Sequence, residues 1–197
     1  MIRLVLASAS PRRADLLTQA GLSFEVRATG VDEQVLPNEP AVAHARRIAA
    51  DKLDAARAAL GDEPAVVLTA DTVVWRPPDG PPLGKPDDRS HAASMLRELA
   101  TDDPHHVTTA WALSGPGVRP EIHHETTRVW MRRLAPDELA AYLDTDEWRD
   151  KAGAYGIQGR AGAFIPRIDG SYTNVVGLPL AQVVTRLRAI LRESEHS

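Results

Sequence analysis

Two arginines stand where an α-helix tolerates positive charge least. The stretch SASPRR, residues 8–13, ends a short apolar run and leads into a helix starting at Pro11, with Arg12 and Arg13 in its first turn. A helix N-terminus carries roughly half a positive charge, so Asp or Glu normally belongs there. An anion on the free N–H groups would resolve the conflict, with Ser8 and Ser10 donating hydrogen bonds to phosphate oxygens. Two solvated surface arginines remain the plainer alternative, at a few tenths of a kcal/mol each. The Walker pattern G-x-x-x-x-G-K-[ST] is absent.

Three further residue types bear on the same chemistry. In the alanine-rich helix 41–60, Ala45, Ile48, Ala49, Leu53, Ala56 and Leu60 fall within one arc of roughly 140°, and Lys52 projects into it. Arg46, Arg47, Asp51, Asp54 and Arg57 lie outside that arc. Lys52 either snorkels past the alanines or extends its ammonium into a site. In VVLTADTVVW, period two sets Asp71 on one strand face with Val67, Thr69, Val73 and Trp75. A carboxylate there is paired, metal-bound, bonded to backbone N–H groups, or at an opening onto a cleft. Asp32 and Glu33 add loop carboxylates of a kind usually just solvated.

Lys85 lies in the rigid turn LGKP. Gln158, in the glycine-rich GAYGIQGRAGAF, offers a paired donor and acceptor to a base edge. The pairs His105–His106 and His123–His124 raise a metal site, but centring their hairpin near Gly115 and Pro116 offsets the pairs by about three positions, so they are not expected to share one.

The elements that must position these groups follow from periodicity and punctuation. Strands are predicted over 2–7, 22–28 and 66–75, and helices over 11–21, 41–60, 87–100, 135–143 and 177–191. Segments 105–113 and 121–134 read as an antiparallel pair joined by the seven-residue SGPGVRP. Residues 29–40 and 76–86 read as loops, and 151–164 as a loop with short strands. Early α/β alternation followed by a hairpin predicts an α/β fold with a mixed sheet, in one domain over 1–197.

Composition narrows the function. A net charge of −4, three Tyr and two Phe argue against a nucleic-acid-binding surface. The absence of cysteine excludes a disulfide framework, a thiol nucleophile and cysteine-ligated zinc. No apolar run nears the roughly 18 residues of a membrane span, and LVLA is short for a signal peptide. The expectation is a soluble cytoplasmic protein with no membrane partner.

Taken in order, SASPRR, VDE, the lysine of ADKLDAA, TADT, LGKP, HHVTTA, KAGAYGIQG and GSYTNVVGLP resemble the Maf family, septum-formation-inhibitor-like nucleoside triphosphate pyrophosphatases. The resemblance runs essentially end to end. It implies an elongated mixed β-sheet curved around a central cleft with flanking helices, related to the inosine-triphosphate pyrophosphatases. It also implies hydrolysis of a nucleoside triphosphate to monophosphate and pyrophosphate with Mg²⁺ or Mn²⁺, and a homodimer.

Carried over by motif, Asp71 is the general base, with Glu33 and Lys52 as further catalytic positions. Ser8, Arg12 and Lys85 match phosphate contacts, and Arg13, Thr72 and Gln158 match the trio tied to substrate choice, in the form of the dTTP/UTP branch. Asp71 and Glu33 are the candidate metal ligands, and the division between base and ligand stays open. Trp148, in TDEWRDKAG, departs from the compact Gly-Glu-Pro-like run usual there. Tyr172 and Asn174 lie in a matching motif without an assigned contact. The competing reading, suggested by the family name, is a nucleotide-binding regulator of cell division acting through a protein partner.

Overall fold

A computed structural model describes residues 2–78 and 80–193; Met1, Asp79 in the expected 76–86 loop, and 194–197 of the expected domain lie outside the described residues. The chain runs β1 (Arg3–Leu6), α1 (Pro11–Gln19), β2 (Glu25–Val26), α2 (Ala41–Leu60), β3 (Ala65–Trp75), α3 (Arg89–Leu99), β4 (His105–Gly115), β5 (Val118–Trp130), α4 (Pro136–Leu143), β6 (Arg167–Asp169), α5 (Tyr172–Val176) and α6 (Leu180–Glu193). The six strands form one mixed sheet in the order β2-β1-β3-β4-β5-β6. β1 is parallel to β2 and β3, and the remaining pairs are antiparallel.

The apolar run at β1 is continuous because both its faces are covered. Leu4 and Leu6 pack with Leu16 and Leu17 of α1 and Leu187 and Ile190 of α6. Val5 and Ala7 pack on the other face with Ala45, Ala49 and Leu53 of α2. The helices following β1 and β2 therefore lie on opposite faces of the sheet. The carboxyl end of β1 is the point of divergence, where open α/β sheets form their binding crevice.

β3 outruns β1. Their pairing ends at Leu6↔Leu68, while β3 continues against β4 as far as Trp75↔His106. Apart from one bridge between Val74 and Leu83, the far half of β3 leaves an edge beside the Ser8–Pro11 connection. On the α1 face, Ala70 and Trp111 belong to the cluster around α1 and α6. Val74 and Val107 belong to a second cluster built by α3, α4 and the 3₁₀ turns Ala152–Ala154 and Arg160–Phe164. The rung Thr72↔Thr109 falls between these two apolar masses.

Several expected elements differ. The strand at 22–28 shrinks to Glu25–Val26: β1 ends at Leu6, which stops the pairing on one side, and on the other Leu22 closes the end of α1 through its N–H to the Leu17 carbonyl and residues 22–24 do not join the ladder. The seven-residue connection becomes a two-residue turn, with β4 and β5 extended to meet at Gly115↔Val118; Gly117, at φ 72°, supplies the left-handed conformation. Residues 151–164 hold 3₁₀ turns instead of short strands, one of them passing through Gly153 at φ 68°. β6 and α5 were not expected. α5 is started by Ser171, whose hydroxyl accepts from the Asn174 N–H, and ends at Gly177, φ 135°.

Candidate active site

At the carboxyl end of β1, between the two apolar masses, lies a cleft of about 560 Å³. Ser8, Arg12, Arg13, Glu33, Lys52, Asp71, Thr72, Lys85 and Gln158 all line it, although they come from six separate stretches of chain. Asp32 does not; its Oδ1 accepts from the Gln34 N–H and shapes the loop that presents Glu33.

Lys52 and Asp71 face each other because α2 covers the odd-numbered face of β3. Nζ of Lys52 donates to Oδ1 of Asp71 at 2.9 Å and pairs with Oε1 of Glu33 at 2.7 Å. Lys52 and Asp71 are buried, whereas Glu33 reaches in from an exposed loop. Partial burial works against the Glu33 charge, but the hydrogen bond and charge of Lys52, with Lys85 and Arg13 beyond, hold its carboxyl below the usual range. One ammonium thus spans two carboxylates in a cleft whose other charged lining residues are Arg12, Arg13, Lys85, Lys151 and Asp150.

The opening of α1 fits an anion. Pro11 occupies its first turn, no acidic residue stands in that turn, and the side chain of Ser10 makes no capping hydrogen bond. Arg13 turns inward: Nε donates to the Gly177 carbonyl at 2.8 Å, and its two terminal nitrogens donate to Ser8 Oγ and Thr72 Oγ1, each at 3.0 Å. Burial lowers its pKa, with Asp71 opposing. Ser8 Oγ also accepts from the Ser10 N–H at 3.2 Å. With two donors on its oxygen, the Ser8 hydroxyl has its proton left to give, which suits a phosphate oxygen. Arg12 is half-buried, while Lys85 and Gln158 are exposed at the rim.

The histidine pairs are held apart. His106 pairs with Arg128 across β4–β5, whereas His124 pairs with Ala110. His105 is buried against Tyr155, and His123 stacks on Trp111 with ring centroids 4.4 Å apart. Among the described residues, no group of three or more His, Cys, Asp or Glu could hold a metal ion. No helix among them is long and apolar enough to cross a membrane.

Sequence reasoning missed Lys151, which lines the cleft and donates to the Glu147 carbonyl; burial and the neighbouring Arg12 lower its pKa. Its place at the head of KAGAYGIQG was the available signal. Trp148 turns away from the cleft into the second cluster, donating from Nε1 to the Leu143 carbonyl at 2.9 Å. Asn174, unassigned from sequence, is fully buried behind the cleft floor: Oδ1 accepts from the Thr109 N–H, and Nδ2 donates to the Val107 carbonyl and Thr127 Oγ1.

Fold and site together define an open α/β protein with an anion-accepting cleft at the point where its sheet connections diverge. Residues 3–190 match Maf, the Maf-like protein family, and the chain belongs to that family. It is 44% identical over 188 residues to the dTTP/UTP pyrophosphatase of Pelotomaculum thermopropionicum, covering 95% of this chain and 96% of that one. With the dTTP/UTP pyrophosphatase of Moorella thermoacetica it shares 46% identity over 184 residues, 93% of this chain and 92% of the other. In fold it is similar to a HAM1 protein from Coxiella burnetii, at a TM-score of 0.52 and 14% identity, over 98% of this chain and 100% of that one.

Proposed function

We propose that the protein is a cytoplasmic nucleoside triphosphate pyrophosphatase that cleaves dTTP and UTP to the nucleoside monophosphate and pyrophosphate. The observation that carries this reading is the Glu33–Lys52–Asp71 bridge, set in one cleft with the cations at the head of α1. The names of the curated relatives supply the choice of nucleotide.

The triphosphate lies against the first turn of α1. There the Ser8 proton, Arg12 and Lys85 meet phosphate charge, and Lys151 adds a fourth polar contact. Asp71, oriented through Oδ1 by Lys52, takes the proton of a water aimed at the α-phosphorus. An oxygen–phosphorus bond forms as the bond from the α-phosphorus to its bridging oxygen breaks, and pyrophosphate leaves into the cationic end of the cleft. Arg13, Thr72 and Gln158 meet the base.

Asp71 and Glu33 suit a divalent cation in their chemistry: both offer hard oxygen donors, and Mg²⁺ typically takes one or two carboxylates with substrate phosphates and water completing its shell. When bound, Mg²⁺ or Mn²⁺ supplies charge neutralisation on the phosphate oxygens.

Hydrolysis of UTP in ¹⁸O-water with Mg²⁺, followed by mass spectrometry of the products, tests the reaction. The label is expected in UMP. Label in pyrophosphate would place attack at the β-phosphorus and contradict the scheme. UTP recovered uncleaved would favour a nucleotide-binding regulator.

A further inference from the structure

Two hydroxyls in the cleft are both bonded to Arg13, yet their protons are committed in opposite directions. Ser8 Oγ accepts from two donors and keeps its proton for a ligand. Thr72 differs because of what stands behind it. Its Oγ1 accepts from Arg13 at 3.0 Å and lies 2.9 Å from Thr109 Oγ1. Thr109 has a single hydroxyl proton, and that proton goes to the backbone carbonyl of Asn174 at 2.9 Å. In the Thr72–Thr109 pair, Thr72 must therefore be the donor. Its proton points inward, away from the cleft, and one lone pair is left for a ligand.

This relay is rigid. Thr109 and Asn174 are fully buried, and the side chain of Asn174 is bound to β4 at both Thr109 N–H and Val107 carbonyl and to β5 at Thr127. The Asn174 carbonyl also accepts from the Gly177 N–H at 3.0 Å, so a flipped relay would not leave it unmet; it would forfeit the Thr109 hydrogen bond and hold two oxygens 2.9 Å apart with no proton between them.

Thr109 and Asn174, neither of which lines the cleft, are the positioning residues to which the geometry points: they fix Thr72 as a hydrogen-bond acceptor, so that the base subsite takes a pyrimidine presenting a ring N–H and disfavours one presenting a ring-nitrogen lone pair. The inference rests on the proposed function, which puts Thr72 at the base. Uracil and thymine carry an N–H at ring position 3, and cytosine carries a lone pair there. Substrate choice is thus set partly by two residues that need not touch the substrate.

The test is the ratio of kcat/KM for UTP to that for CTP in wild type, Thr109→Val and Thr109→Ser. A ratio cancels any change in the folded fraction, so a purely structural role would leave it unmoved. Valine removes the acceptor of the Thr72 proton and frees it to face the ligand. The wild-type preference for UTP is expected to fall by about tenfold or more in Thr109→Val, as when a site loses its discriminating hydrogen bond, and to be retained in Thr109→Ser. A wild-type ratio near one, an unchanged ratio in Thr109→Val, or equal loss in the serine variant would overturn the relay while leaving the pyrophosphatase reading intact. Absence of turnover of either nucleotide by wild type would overturn both.

Discussion

Asp71→Asn is expected to lower kcat for pyrophosphate release by about 10²–10⁴-fold, the usual contribution of a positioned general base. The substitution is nearly isosteric, and the amide oxygen still accepts from Lys52, so the 2.9 Å contact that locks the side chain survives. What it removes is the basic oxygen in the middle of β3. The groups proposed to hold the phosphates come from the α1 entry, the Lys85 turn and Lys151 and do not bond to Asp71, so KM is expected to move far less than kcat. Circular dichroism and thermal melting should report an intact fold. Full turnover in Asp71→Asn, with loss in Glu33→Gln instead, would transfer the base to Glu33 and leave Asp71 as a ligand or a positioning group.

Acid should destabilise the protein already below neutral pH, and His105 is the cause with the largest expected effect. The ring is fully buried under the second cluster, with Nε2 2.7 Å from the Tyr155 hydroxyl and Nδ1 without a partner. Burial, reinforced by Arg76 and His106, pushes its pKa down to about 3. The folded state therefore keeps His105 neutral, whereas the unfolded chain takes up a proton below the ordinary value of 6.5. The stability associated with His105 is complete above pH 6.5 and is lost as the pH falls toward 3. The slope approaches about 1.4 kcal/mol per pH unit, for a total on the order of 5 kcal/mol.

Urea unfolding between pH 7.5 and 5, above the range where carboxylates titrate, isolates the effect. His105→Leu is expected to be less stable at pH 7.5, because the Tyr155 hydroxyl loses its partner, but to show a flatter pH dependence. His106 and His124, whose pKa values burial also lowers, contribute equally to both proteins. Identical slopes in wild type and variant would show that His105 is not the titrating group.

The parts of the site that sequence made legible lie on long, regular elements. Lys52 was visible because a twenty-residue helix defines its apolar arc, and Asp71 because an eleven-residue strand defines its faces. Those two periodicities leave them facing each other once α2 covers the odd side of β3. The α1 entry was legible from helix electrostatics alone, since two first-turn arginines without an acid demand an anion or solvent.

What escaped depends on contacts distant in sequence. Asn174 bonds to residues 47 to 67 positions away, and nothing in the local pattern of a five-residue helix announces them. The offset of the histidine pairs followed from centring the hairpin near Gly115 and Pro116, but the turn at Pro116–Gly117 proved tighter than a seven-residue connection suggests. The orientation of Arg13 was also hidden. Helix electrostatics placed it beside Arg12 as a surface charge or anion ligand and the family resemblance grouped it with Thr72 and Gln158, but neither showed that its donors are largely engaged by Ser8, Thr72 and Gly177.

The central claim is that this cleft cleaves pyrimidine nucleoside triphosphates between the α- and β-phosphates, and a pyrophosphate-release assay over a panel of nucleoside triphosphates with Mg²⁺ or Mn²⁺ tests it most directly. Release of pyrophosphate from dTTP and UTP, well above release from purine nucleotides, is the expected result. Absence of release from every nucleotide, or release of orthophosphate in its place, would contradict it.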